Sequence, residues 1–398
     1  DADGEPDHDH PIVPAEADLP VDPSSDAAPG YDESQRGQPG GFVGDTDVMD
    51  TWATSSLTPQ IACGWEEDDD LYARTYPMDM RPQAHDIIRT WLFSTAVRSH
   101  FEADAAPWGH CALSGWILDP DRKKMSKSKG NVVTPVDLLD QHGSDAVRYW
   151  AANGRPGTDT AFDDGQMKIG RRLAIKVLNA SRFALGFGAN GEAPLDVDPS
   201  AITDTLDRAM LLRLAELVDE ATKAFEEFDY ARALERTETW FWAFTDDHVE
   251  LVKTRAYEGS PAEAESARHA LRLAISTLLR LFAPFLPFVT EEVWSWWQGG
   301  SVHRQAWPIA DELRAAAASD SADPVDPAVC GVAADALVEI RRHKTDAKRS
   351  LATPVVACTV TDTAERISLL RLVVDDVAAA ARATGIDLVE GDALSADV

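Results

Sequence analysis

Lys124 and Lys127 stand three residues apart in the run Lys124-Met125-Ser126-Lys127-Ser128-Lys129-Gly130-Asn131. Ammonium groups, small hydroxyl residues and a glycine in one short run describe a loop able to close over a polyphosphate. Lysine brings a compact point charge to such a site. Cations there stabilise the negative charge that builds on a phosphoryl group in the transition state. A lone Lys-x-Ser-Lys is an ordinary solvated turn, but the full eight-residue string is far more specific. Arg122 and Lys123 extend this cluster. Lys168, Arg171, Arg172 and Lys176 form a second, and Arg341, Arg342, Lys344, Lys348 and Arg349 a third. Each, taken singly, also fits a solvated helix or loop face. His8 and His10 with Asp7 and Asp9 make a loose run of metal-ligand types. Their setting is Pro-rich and no cysteine is near, so no metal site is assigned. There is no Gly-x-Ser-x-Gly and no P-loop string, which leaves serine-hydrolase and P-loop readings unsupported.

The elements that must hold the lysine loop are legible on either side of it. Asp86–Val97 has helical spacing. His110–Leu118 reads as a strand running to a turn at Asp119-Pro120. Thr134, Pro135 and Asp137 give an N-cap, a first-turn proline and an early acid, so a short helix to about Gln141 should follow, stopped by Gly143. Ser144 then starts another through Trp150. Mixed strands and helices around the loop predict an α/β layer. From about Asp163 to Gln298 only helices are read: Leu211, Leu214, Val218, Ala221 and Phe225 recur at three and four residues, and Leu271, Ile275, Leu278 and Phe282 repeat the rhythm. Pro284 and Pro287 end or kink the last long helix, and a short one begins at Thr290. Residues 311–328 are Ala, Ser, Asp and Pro, the composition of a linker. Beyond it, helices over Ala334–Lys348 and Ile367–Ala383 and strands over Val355–Val360 and Ile386–Val389 predict a small α/β appendage.

The chain has 398 residues, 44 % of them apolar, with 37 Lys and Arg against 68 Asp and Glu, a formal charge of −31. That is material for two or three domains and rules out disorder of the whole. The acidity argues against nonspecific binding to nucleic acid by bulk charge, and leaves a partner recognised by local basic clusters open. Cys63, Cys111, Cys330 and Cys358 are too dispersed for a disulfide framework or a CxxC metal pair, which suits a reducing compartment. No stretch reads as a signal peptide or a membrane span. The sections expected are an acidic Pro/Gly-rich segment over 1–45, a catalytic part over 46–160, a helical domain over 161–312, a linker over 313–330 and a small α/β domain over 331–398.

The lysine string resembles the KMSKS loop of class I aminoacyl-tRNA synthetases. There it closes a Rossmann-type catalytic domain and is followed by a helical anticodon-binding bundle, the same order as here. Within the class, Asp47-Val48-Met49-Asp50-Thr51-Trp52-Ala53-Thr54-Ser55-Ser56-Leu57 is similar to the DVLDTWFSS-type segment of the valine, isoleucine and leucine branch. Ala53 in place of an aromatic residue resembles the archaeal-like bacterial subgroup of the valyl enzymes. Ala84-His85-Asp86-Ile87-Ile88-Arg89-Thr90-Trp91 resembles the GxDII element that precedes the loop, with Ala84 departing from the usual glycine. The resemblance implies that Lys124 and Lys127 bind the ATP phosphates and act in catalysis, with Ser126 and Ser128 shaping the loop around ATP. It implies that Asp86 faces the ribose and that Trp52 and Ile87 line the amino-acid pocket. Lys168, Arg171, Arg172 and Lys176 would meet tRNA phosphates, while Trp240, Trp242, Trp294, Trp296 and Trp297 are more plausibly core than base-stacking residues.

The resemblance further implies an ATP-dependent valine–tRNA ligase, cytoplasmic and monomeric, using ATP with Mg2+, valine and tRNA(Val) and needing no protein-bound metal in this chain. An isoleucine or leucine ligase fragment and a noncatalytic tRNA-binding module are the alternatives. No HIGH-type string is present. The chain is therefore read as the C-terminal portion of such an enzyme, following its editing insertion and inactive alone.

Overall fold

The structure is a computed structural model that describes residues 4–45, 47, 49–126, 128, 130–187, 197–318 and 324–398. It is mostly helical, with three small sheets, and divides into two compact units, Asp1–Ala112 and Leu113–Val398.

In the first unit, residues 4–45 form turns gathered around Arg36. Its guanidinium donates to the carbonyls of Pro23 (2.7 Å) and Asp26 (2.8 Å) and lies 4.7 Å from the Phe42 ring centroid. Gly41 passes so close to the Gln35 carbonyl that a Cβ would sit 1.9 Å from it, so only glycine fits. Helices α1 (Trp52–Ser55), α2 (Thr58–Ala62) and α3 (Asp69–Thr75) follow, the last capped by Asp68, which accepts from Leu71 N–H. Strand β1 (Met78–Ala84) pairs with β2 (Trp108–Ser114). The helix expected from Asp86 is in fact three pieces: a 3-10 turn (His85–Ile87), a π turn (Ile88–Leu92) and α4 (Phe93–Ala103). Asp86 therefore lies inside the first turn.

The strand expected over His110–Leu118 is broken. At Gly115 the chain passes so near Thr158 that a Cβ would lie 2.2 Å from its carbonyl oxygen. The chain resumes as β3 (Ile117–Leu118), which pairs in parallel with β4 (Thr160–Ala161). Between them stand α5 (Pro135–His142) and α6 (Ser144–Ala152), separated by Gly143 at φ 86°. Thr134 holds the N-cap position of α5 without donating or accepting a cap bond, and Ser144 is the first helical residue of α6 rather than its cap.

The bundle is α7 (Asp164–Leu185), α8 (Thr205–Glu226), α9 (Tyr230–Ala243), α10 (Val249–Glu258), α11 (Pro261–Phe282) and α12 (Pro287–Ser295). A π turn (Phe244–His248) joins α9 to α10. Its core holds Leu211, Leu214, Val218, Ile275, Leu278 and Phe282, all at most 2 % exposed. The three- and four-residue spacing produces this stripe. Two expectations need correction. The short helix starts at Pro287, not Thr290, because proline suits the first helical position and Thr290 bonds back to the Leu286 carbonyl. The supposed linker opens with a helix, α13 (Ala310–Ala318), which buries Leu313, Ala316 and Ala317. Helix α14 (Ala328–Asp346) leads to a sheet of β5 (Thr359–Asp362), β6 (Asp387–Glu390) and β7 (Ser395–Asp397), in the order β6-β5-β7. The single helix read over Ile367–Ala383 is two, α15 (Ala364–Arg371) and α16 (Val374–Ala381), and β7 had no expectation.

A buried polar knot joins the bundle to α16. Arg255 donates two bonds to Asp207 (2.7 and 3.0 Å) and one to Asp376 (2.9 Å), and Ser266 Oγ donates to Asp207 (2.7 Å). His248 lies beside it with Nε2 3.8 Å from Asp207 Oδ1, and neither ring nitrogen has a hydrogen-bond partner. Burial, with Arg255 and Arg213 nearby and against the pull of Asp207, holds its pKa at about 4 instead of 6.5. Between those values the unfolded chain binds the extra proton, so stability falls as pH drops from 6.5 towards 4, by at most about 3 kcal/mol. Asp376 works the other way. Burial raises it from 3.8 to about 6, so the folded state holds the extra proton there and gains stability as pH falls. We expect urea unfolding across this range to show a shallower acid loss in His248→Gln and a steeper one in Asp376→Asn. Identical slopes in both would contradict these assignments.

Candidate functional site

The lysine loop hangs from one carboxylate. Asp119 accepts the Lys123 N–H at Oδ1 (2.7 Å) and the Asn131 side-chain amide at Oδ2 (2.8 Å), tying the two ends of the loop together. Those two bonds, the Lys123 one foremost, hold its pKa below the usual carboxylate range. Asn131 also accepts from Ser126 N–H (3.0 Å) and donates to the Lys124 carbonyl (3.3 Å). Lys124 bridges to Leu118 at the end of β3, and its Nζ lies 3.4 Å from the Trp116 ring centroid, a cation–π contact. Ser126 Oγ and Ser128 Oγ are 3.2 Å apart, joined within the loop. Lys127 and Lys129 lie outside the described residues. Asn131 holds the loop's register, so Asn131→Ala is expected to speed amide exchange over 119–131 by roughly fivefold, the loss of about 1 kcal/mol of side-chain bonding. Unchanged exchange there would remove Asn131 from that role.

The other catalytic candidates belong to the first unit. Trp52 opens α1 and is half-buried, Ile87 is half-buried, and Asp86 is exposed with its carboxylate open to solvent. Two bonds tie α1 to the segment that follows Asp86 and Ile87: Trp91 Nε1 donates to the Ser55 carbonyl (2.7 Å), and Arg98 Nε donates to Ser56 Oγ (2.8 Å). Arg81 is buried with its guanidinium 3.6 Å from the Trp91 ring centroid and braces the same tryptophan from β1. Burial lowers its pKa.

The four basic candidates on α7 are not equivalent. Lys168 pairs with Asp164 (2.6 Å), which also bonds His142 (2.7 Å), and Lys176 pairs with Asp246 (2.9 Å). Both charges are answered within the chain. Arg171 and Arg172 are exposed, and Arg171 donates to the Gln141 carbonyl (2.7 Å). Trp294 is 5 % exposed and packs in the core. Trp240 stacks on Phe244, and Trp242 donates to Glu238 (3.1 Å). Trp296 is the most exposed of the five, donates to Glu292 and lies 5.6 Å from Arg182.

Comparison with known proteins places this geometry. Residues 25–163 match the model of tRNA synthetases class I (I, L, M and V), and residues 207–358 match that of the anticodon-binding domain of tRNA ligase. The valine–tRNA ligase of Thermobifida fusca is 61 % identical over 381 residues, and that of Salinispora tropica 59 % over 406. Along nearly its whole length the chain is similar to valine–tRNA ligases. It spans less than half of these curated relatives, 42 % and 46 % of their lengths, while they match 96 % and 98 % of it. Among solved structures, the Agrobacterium radiobacter LeuRS in its ternary complex with tRNA and LeuAMS superposes with a TM-score of 0.56 at 20 % identity, over 70 % of this chain and 35 % of that one. At that identity the likeness is one of fold.

The supports of the loop carried little signal in the sequence. Asp119 was legible only as a turn residue and Asn131 only as the end of a string. Trp116, whose N–H bonds Asp159 (2.8 Å), carried no signal at all. An Asp twelve residues before an Asn across a basic run was the one cue available.

Proposed function

We propose that this chain supplies the KMSKS half of the catalytic domain and the anticodon-binding part of an ATP-dependent valine–tRNA ligase. The observation that carries the reading is the intact lysine string, stapled by Asp119 and Asn131, in a chain 61 % identical to such a ligase. In the reaction the valine carboxylate attacks the α-phosphorus of ATP, an oxygen–phosphorus bond forms, and the bond to the β-phosphate breaks to release pyrophosphate. Lys124 and Lys127 would stabilise the charge gathering on the departing phosphates. Mg2+ enters with ATP as part of the substrate. Lys124 now rests on Trp116 and would exchange that ring for a phosphate. Ser126 and Ser128 would hold the loop's shape around ATP. Asp86, exposed, would accept from ribose hydroxyls. Trp52 and Ile87 would form an apolar wall for a branched side chain. A ribose hydroxyl of tRNA(Val) would then attack the valyl carbonyl, forming an ester as the acyl–phosphate bond breaks and AMP leaves.

The finer layout belongs to the same proposal. Residues 46–160 would be the second part of a Rossmann-type domain following 1–45, 161–312 the anticodon-binding bundle and 331–398 a C-terminal α/β domain. Activation of valine would then require the remainder of the relatives' length. The enzyme would act as a monomer in the cytoplasm; among the described residues no helix is long and apolar enough to cross a membrane. Lys168, Arg171, Arg172 and Lys176 would meet tRNA, with Lys168 and Lys176 first leaving their carboxylates. The test is binding of this chain to tRNA(Val) and to the same tRNA with its anticodon changed. The proposal expects markedly tighter binding of the unaltered tRNA, and equal affinity would count against an anticodon-reading bundle.

A further inference from the structure

An open groove of about 290 Å³ lies where α6, α7 and α12 meet. Its floor is one face of α7, Ala174, Ile175 and Leu178, and its wall is Phe288 and Val289 from the first turn of α12. Ile175 is 53 % exposed and Phe288 63 %, an aliphatic and an aromatic side chain turned to solvent on one concave surface. Arg171 stands on the same face of α7, and Arg148 stands one turn along α6 from Ser144 and Asp145, which line the groove.

The charges around it are arranged unevenly. Each arginine gives one N–H to a main-chain carbonyl, Arg171 to Gln141 (2.7 Å) and Arg148 to Pro284 (2.7 Å), which fixes the guanidinium in place. Neither forms an ion pair with a carboxylate among the described residues. The carboxylates at hand are engaged. Asp145 accepts from the Phe288 and Val289 N–H groups (3.1 and 2.8 Å), and Asp164 is held by His142 and Lys168. In a chain of net charge −31, two arginines without a carboxylate ion pair among the described residues stand beside an aromatic wall, with Asp145 the acidic residue of the lining. An anchored guanidinium offers two parallel N–H groups to a phosphate, and an exposed ring beside it offers a face to a base or ribose.

We propose that this groove seats one nucleotide of the bound tRNA, with its phosphate on Arg171 and its base or ribose against Phe288 and Ile175. The inference rests on the tRNA-binding reading above and adds Phe288, Ile175 and Arg148 to the interface. A second copy of this chain would fit the apolar surface but would leave both arginines unanswered.

The experiment measures binding of labelled tRNA(Val) to the chain by anisotropy at several salt concentrations, with melting temperatures recorded for each variant. Phe288→Ala is expected to weaken binding about tenfold at unchanged melting temperature, by loss of one stacking contact, and Phe288→Tyr to restore it. Arg171→Gln is expected to lower the slope of log affinity against log salt by about one. Val356→Ala, which removes part of an 88 % exposed apolar side chain elsewhere, should change neither. Wild-type affinity in Phe288→Ala with an unaltered slope in Arg171→Gln would overturn the groove while leaving the tRNA-binding reading intact. Failure of the wild-type chain to bind tRNA would overturn both. A wild-type dimer that Phe288→Ala converts to monomer would assign the groove to self-association instead.

Discussion

In the complete enzyme, Lys127→Ala is expected to slow valine-dependent ATP–pyrophosphate exchange by about 10²- to 10³-fold, the loss of one preorganised charge from a phosphoryl transition state. The Michaelis constant for valine should stay nearly constant, because the lysine acts on the phosphates and not on the amino acid. The neighbours of Lys127 make the case. The loop is closed across its base by Asp119 and Asn131, which fixes its two ends. Lys124 is drawn back onto Trp116 at 3.4 Å. With one ammonium occupied by a ring, the second is the charge expected to dominate. Lys124→Ala should therefore cost less than Lys127→Ala. Unchanged activation kinetics in Lys127→Ala would remove it from the reaction, and a smaller loss than in Lys124→Ala would reverse the order of the two lysines.

The second large effect is on folding. Arg255→Met is expected to destabilise the chain by about 3–5 kcal/mol, because it leaves buried carboxylates with no cation. Asp207 is fully buried and takes both arms of the guanidinium, and the Asp376 side chain is 10 % exposed. The triple change Arg255→Met, Asp207→Asn, Asp376→Asn removes three of the four charges, leaving Asp204, whose carboxylate lies 3.3 Å from Arg255 and is 28 % exposed, and should recover most of that loss. Chemical unfolding of both variants measures it. A loss below about 1 kcal/mol in Arg255→Met would show that water reaches these carboxylates. A triple variant no better than the single would show that packing, not charge, sets the cost.

Helices were legible where apolar residues recurred at three and four, as in Leu211, Leu214 and Val218, since tertiary packing needs that stripe. Breaks imposed by distant backbone were not. Nothing near Gly115 announces that Thr158 will pass beside it. Composition misled at 311–328, where Leu313, Ala316 and Ala317 make an apolar face among residues that read as linker. In the site, the lysine string carried its own chemistry. The neutralising partners of the α7 lysines were legible only when close: Asp164 stands four residues before Lys168, whereas Asp246 lies 70 residues beyond Lys176. The Arg255 knot joins residues 48 and 121 positions apart, a separation at which spacing says nothing.

On the proposed reading this chain would hold one part of a valine-activating site and depend on the rest of its relatives' length for the other. Amino-acid-dependent ATP–pyrophosphate exchange tests it, with valine, isoleucine, leucine and threonine offered separately. The account predicts no exchange by the chain alone with any of the four, and valine-driven exchange once the remaining part of a relative, carrying a HIGH-type element, is supplied as a second polypeptide. Exchange by the chain alone, or restored exchange driven best by isoleucine or leucine, would contradict it.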